Sequence, residues 1–229
     1  MLVRDYMTHD LVTVEPESRL SDALKTMRTH NIHRLPVIED NLLIGIVSEK
    51  DLLYALPSAD RPISWVEASA QAAALPVRQI MQQDLVTVGP DCPVELAAAT
   101  MADHKIGALP VVSPPESRTL VGIITETDIF RLFIEMLGSR APGVRASLEI
   151  DNRKGALASL FNRIVEAGGG VTTVSSFPAT SPHRLRIILK VADVNQDTMR
   201  RLLKSEETVI DLREIQGSRS TSSSSPVGA

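Results

Sequence analysis

The chain has one cysteine, Cys92, among 229 residues. That excludes an intramolecular disulfide framework and any zinc site built from several thiolates, and it suits a reducing compartment. There is no excess of positive charge: 24 Lys and Arg stand against 28 Asp and Glu, a net charge of −4. Grip on nucleic acid through phosphate neutralisation needs clustered surplus cations and is disfavoured. No apolar run reaches the roughly 18 residues that span a bilayer, and the N-terminus has no basic segment followed by an apolar signal core. The expectation is a cytoplasmic protein. Catalytic signatures are missing as well. Gly168-Gly169-Gly170 has no Gly-Lys-[Ser/Thr] after it, there is no Gly-x-Ser-x-Gly elbow, and Cys92 has no recognisable triad partner.

What is present is a repeat. Val3-Arg4-Asp5-Tyr6-Met7, Asp10 to Val14 and Pro16 recur as Val77-Arg78-Gln79-Ile80-Met81, Asp84 to Val88 and Pro90. The register holds through Met27, His30, Ile32 and Leu35-Pro36-Val37, which match Met101, His104, Ile106 and Leu109-Pro110-Val111. After a three-residue insertion around Pro114-Pro115, Gly45 to Asp51 matches Gly122 to Asp128. A repeat of this size organises the fold before any single residue does. In each copy Leu11 to Val14, or its twin, reads as a short strand closed by proline. Ser18 reads as the cap of a helix over Arg19 to Thr29, with apolar residues at helical spacing. Strands over Leu35 to Glu39 and Leu42 to Ser48 flank a turn at Asp40-Asn41, and a second helix starts near Glu49. The unit is β-α-β-β-α. His30 and His104 near the helix C-termini suit the helix dipole, and no metal-site spacing surrounds them.

The paired units resemble tandem CBS domains, a Bateman module. The resemblance rests on Met7-Thr8 and Met81, Leu-Pro-Val at 35 to 37 and 109 to 111, and Gly-hydrophobic-hydrophobic-[Ser/Thr]-x-x-Asp at 45 to 51 and 122 to 128. It places repeat 1 at 1–56, an insertion with Trp65 and an Ala-rich helix near 66–75 at 57–76, and repeat 2 at 77–137. From Val144 the pattern changes. A linker over 138–143 leads to strands and helices in the order β-α-β-β-α-β over 144–216, the ferredoxin-like arrangement. Its first helix carries Leu157, Leu160, Phe161, Ile164 and Val165 on one face. With Asp151-x-x-x-Gly155-x-Leu157 at the first turn it is similar to an ACT domain, although many ACT turns are one residue shorter. The fold class is α/β (α+β). Residues 217–229, rich in Ser, cannot bury a core and are expected to be disordered. The order CBS, CBS, ACT resembles the acetoin-utilisation regulator family.

Ser48-x-x-Asp51 and Thr125-x-x-Asp128 stand where a strand meets a helix. There backbone donors attract an anion, a hydroxyl can donate to phosphate and a carboxylate can accept from ribose hydroxyls. N-capping alone explains the same pattern. The resemblance implies that these residues hold an adenosine compound, AMP, ADP, ATP or S-adenosylmethionine, as a regulatory ligand. It also implies that Val12, Thr13, Val86 and Thr87, with Leu109 and Pro110, frame the base. Ordinary strand packing is sufficient for the two valines. His33 and Arg34, with Lys50, offer charge for phosphate; repeat 2 has Gly107-Ala108 at the places of His33-Arg34, which suggests one site of higher affinity. ACT resemblance implies amino-acid binding or dimerisation, with Asp151, Asn152 and Gly155 at the ligand turn. The reading is a non-catalytic sensor, a homodimer acting on an unknown enzyme partner, without membrane or nucleic acid. The alternatives are a ligand-independent interaction scaffold and, opposed by the acidic balance and the lack of a helix-turn-helix signal, a DNA-linked repressor.

Overall fold

The computed structural model describes residues 1–55, 73–203 and 207–216. The expected helix near 66–75 and Trp65 lie largely or wholly outside them, as does the Ser-rich tail. Two compact units divide at Phe130 and Arg131.

The first unit contains repeat 1 and repeat 2 as far as Phe130. Repeat 1 has α1 (Leu20–His30), β1 (Arg34–Glu39), β2 (Leu42–Ser48) and α2 (Glu49–Tyr54); repeat 2 has α3 (Val94–His104), β3 (Ala108–Val112), β4 (Leu120–Thr125) and α4 (Glu126–Met136). β1 and β2 pair antiparallel, as do β3 and β4. The hairpin turn at Asp40-Asn41 is made of two left-handed residues, φ 50° and 64°, a conformation that matches strand twist and that Asn and Asp tolerate. Two expectations are corrected. Leu11 to Val14 is not a ladder strand, since only Val14 bridges, to Val37. Ser18 does not cap α1. Its amide donates to Glu15 O and its carbonyl accepts from Val77, so the helix starts a residue later, with Arg19 as N-cap and no side-chain cap bond.

That Ser18 contact shows how the repeats interlock. The short 3-10 turn Val77–Gln79 at the head of repeat 2 inserts into repeat 1, and Val77 and Met81 join Leu20, Met27, Leu35, Val47 and Leu52 in one buried cluster. Burial of a side chain such as Val77 contributes about 1.5–3 kcal/mol. The head of repeat 1 makes the reciprocal contacts, Val3 N to Cys92 O, Arg4 N to Pro90 O and a bridge between Thr8 and Ile123. Glycine leaves the room that the exchanged methionines occupy. A Cβ on Gly45 would lie 2.5 Å from Met81 Sδ, and one on Gly122 would collide with Met7 Sδ.

The second unit carries a four-stranded antiparallel sheet in the order β6-β7-β5-β8, from β5 (Gly143–Asp151), β6 (Gly170–Pro178), β7 (Arg184–Ala192) and β8 (Thr208–Ile215). With α5 (Ala156–Glu166) and α6 (Gln196–Leu202) this is the β-α-β-β-α-β arrangement with a ferredoxin-like strand order. Alternate residues of β5 and β7, including Leu148, Ile150, Ile187 and Leu189, bury against Leu160, Ile164 and Met199. Val165, expected on the same helix face, is 64 % exposed, because at 100° per residue it turns away from Ile164 and Leu160. Among the described residues no helix is long and apolar enough to cross a membrane.

Candidate functional site

β1 and β2 pair so that Arg34 lies opposite Ser48, at the end where α2 begins. Gln82 of repeat 2 exchanges both backbone bonds with Ile46, 2.8 and 3.0 Å, which lays Asp84, Leu85 and Val86 beside the β2–α2 junction. The end of α3 and the start of β3 supply Lys105, Ile106, Gly107, Ala108 and Pro110. Together these residues line a cleft of about 330 Å³ that belongs to both repeats, with Ser48 and Asp51 in its wall. Its volume falls at the lower end of the range for small-molecule sites.

The Ser48-Asp51 pair forms a full capping box. Asp51 N donates to Ser48 Oγ (3.2 Å), while the Ser48 amide (2.9 Å) and hydroxyl (2.6 Å) both donate to Asp51 Oδ2. Asp51 Oδ1 has no partner among the described residues. Repeat 2 reproduces the geometry, with Thr125 N and Oγ1 donating to Asp128 Oδ2 at 2.9 and 2.7 Å. Asp128 is buried and Asp51 half-buried, so the two junctions differ in access.

Charge is also unequal. Arg34 reaches across to repeat 2. A Cβ on Gly107 would sit 2.5 Å from Arg34 Nη2 and 2.8 Å from Glu126 Oε2, so the place that His33 has in repeat 1 is empty of side chain here and the guanidinium comes into it. His33 is exposed outside the cleft lining, its Nδ1 2.8 Å from Glu49 Oε2. Lys50 stands over the Tyr54 ring, 5.5 Å from the centroid, also outside the lining. Of the expected base-framing residues, Val86 and Pro110 line the cleft. Thr87 is half-buried beyond it, Val12 packs on the repeat 1 core, Thr13 is exposed, and Leu109 is fully buried, with no surface to offer a ligand.

Sequence reasoning missed Gln82, Asp84 and Lys105. The signal for Lys105 lay in the repeat itself, where Asn31 is replaced by a cation at the left-handed helix cap, φ 55°. Cys92 is half-buried before α3, and burial raises its thiol pKa, so it is a poor nucleophile.

In the C-terminal unit, Arg184 donates to Asp151 Oδ1 (2.8 Å) and Arg153 stands 3.9 Å from Oδ2. Asn152 N is bonded to His183 O, and Gly155 holds the left-handed N-cap of α5, φ 83°. The adjoining cavity is about 20 Å³, room for a single water.

A pair of interlocked α-β-β-α repeats that frame a mixed-charge cleft at a strand-to-helix junction defines a tandem two-repeat module. The chain belongs to the CBS-domain family, whose model matches residues 3–58 and 77–135. It is 37 % identical over 125 residues to an inosine-5'-monophosphate dehydrogenase of Korarchaeum cryptofilum, covering 55 % of this chain and 23 % of that enzyme. A CBS domain-containing protein of Dictyostelium discoideum is 33 % identical over 60 % of this chain and 94 % of its own length. A crystal structure of a Vibrio cholerae protein (AcuB), proposed to act in acetoin utilization, is 34 % identical over 60 % of this chain and 93 % of that one, with a TM-score of 0.50.

Proposed function

We propose that this chain is a non-catalytic, cytoplasmic regulatory sensor whose CBS pair binds an adenosine compound, AMP, ADP, ATP or S-adenosylmethionine, in the cleft between the repeats. The observation that carries the reading is the convergence of Arg34 from one repeat and Lys105 from the other on the cleft that holds Asp51, whose Oδ1 has no partner among the described residues. Two cations suit a phosphate, and a carboxylate suits ribose hydroxyls. Such a ligand regulates only through unequal affinity for two arrangements of the protein. The βαββαβ unit is read as an ACT domain. The salt-bridged Asp151 and the one-water cavity favour a dimerising role for it over amino-acid capture. The chain is read as a two-fold homodimer, the simplest closed assembly, that acts on an unidentified enzyme partner. Titration calorimetry of ligand-stripped protein tests the reading. Saturable binding of at least one of the four compounds is expected. At about 100 times its dissociation constant the ligand adds roughly 2.7 kcal/mol to stability. No binding by any of them promotes the scaffold reading, which the self-satisfied capping boxes favour.

A further inference from the structure

The two strand-to-helix junctions are built alike. In repeat 1 Glu49 N donates to His33 O (2.9 Å), and in repeat 2 Glu126 N donates to Gly107 O (3.2 Å). The same backbone bond sets a glutamate at the first position of α2 and of α4. Their carboxylates meet different neighbours. Glu49 Oε2 has the His33 ring, with Nδ1 at 2.8 Å. Position 107 offers Glu126 no side chain, and what fills the place comes from the other repeat. The point where a Gly107 Cβ would stand is 2.8 Å from Glu126 Oε2 and 2.5 Å from Arg34 Nη2.

Guanidinium and carboxylate therefore converge on one point at the cleft wall. Gly107 and Arg34 both line the cleft; Glu126 is exposed and outside the lining. Ala108 in the place of Arg34 gives repeat 2 no guanidinium of its own, so this one lies open to two claims, Glu126 and an anion in the cleft. At such range a carboxylate draws on the cation and repels a second anion brought to it. A neutral ligand meets neither effect. Glu126 also stands in the first turn of α4, where an acid favours the helix dipole, but that role does not depend on which ligand the cleft holds.

We propose that Glu126 is a specificity-determining residue of the cleft: by sharing the Arg34 guanidinium it opposes a ligand phosphate, and so sets how strongly the site prefers AMP to adenosine. It acts through Arg34 and is a positioning residue. The proposal rests on the ligand reading above and names what tunes the charge preference of that site.

Titration calorimetry of AMP and adenosine on the ligand-stripped full chain, wild type and Glu126→Gln, tests it. Glutamine keeps the length of the side chain and removes its charge. AMP is expected to bind about two- to fivefold tighter, the range for partly exposed charge pairs, while adenosine changes by less than about 1.5-fold. Added to Arg34→Ala, the same substitution is expected to tighten AMP less than it does in wild type, since groups that interact are not additive. Unchanged or weaker AMP binding by a folded Glu126→Gln overturns the proposal. So does equal tightening of AMP and adenosine, which assigns the effect to the cleft as a whole. A gain of the same size with and without Arg34 overturns the sharing. Wild type that binds neither compound overturns the phosphate part of the ligand reading and this proposal with it, whereas binding of both without a response to Glu126→Gln overturns the proposal alone. If Glu126→Gln fails to fold by circular dichroism, Glu126→Ala replaces it, and the same outcomes decide.

Discussion

Asp51→Asn separates a carboxylate that caps a helix from one that also holds a ligand. Both bonds from Ser48, at 2.9 and 2.6 Å, end on Oδ2. An asparagine carbonyl can accept both, so the cap survives with a stability loss of at most about 1 kcal/mol. The amide group then replaces Oδ1, which has no partner among the described residues, and a donor stands where ribose hydroxyls need an acceptor. Loss of hydrogen bonds to a charged acceptor is worth about 1.5–3 kcal/mol, a rise of roughly 10- to 150-fold in Kd. Adenosine and AMP share the ribose, so both should weaken by the same factor in titration calorimetry, with Tm nearly unchanged. Ser48→Ala inverts the balance, because it deletes the hydroxyl that accepts from Asp51 N and donates to Oδ2. It should cost about 0.5–2 kcal/mol in unfolding and less in affinity. If Asp51→Asn binds AMP within twofold of wild type, the carboxylate is a cap and nothing more, and the assigned ribose contact is refuted.

Arg34→Ala should weaken AMP by about tenfold or more while changing adenosine little, since it removes a charge-assisted phosphate contact only; parallel losses for the two ligands in calorimetry contradict the phosphate role. Gly45→Ala should destabilise by about 1–3 kcal/mol in chemical denaturation, because its Cβ meets Met81 Sδ at 2.5 Å and the Gln82 carbonyl at 3.2 Å; an unchanged midpoint means the repeats are not locked there. Arg213 first, and then Arg145, hold the Asp211 carboxyl below the usual carboxylate range. Its folded pKa is therefore below its unfolded one. The pair's stabilisation is complete above the unfolded value and is lost as pH falls through the folded value. Asp211→Asn should unfold more easily than wild type at pH 7, and the gap should close at the acid end of a denaturation series; a gap that persists there rules out the ion pairs as its source.

Local signals gave both repeats, the hairpins and the C-terminal order of elements, because strand alternation, helical spacing and positive-φ turns such as Asp40-Asn41 are properties of a few neighbouring residues. The Ser48 and Thr125 caps were legible for the same reason, being closed within three residues. Leu11 to Val14 misled, since a β-rich composition does not supply a partner strand, and so did Ser18, whose backbone is taken by Val77 from the other repeat. Only the tertiary structure decided that Met7 packs at Gly122 and Met81 at Gly45, an exchange between segments 115 and 36 residues apart that periodicity cannot encode. The cleft follows from it. Gln82 must pair with Ile46 before Asp84 and Lys105 can share a wall with Arg34, and Leu109, which matches the motif as well as Pro110, is spent on the core because alternate strand residues face opposite ways. The same alternation sends Lys190 away from the helices, yet what removes it from water is the chain of 138–141 folding over it, a contact across about fifty residues.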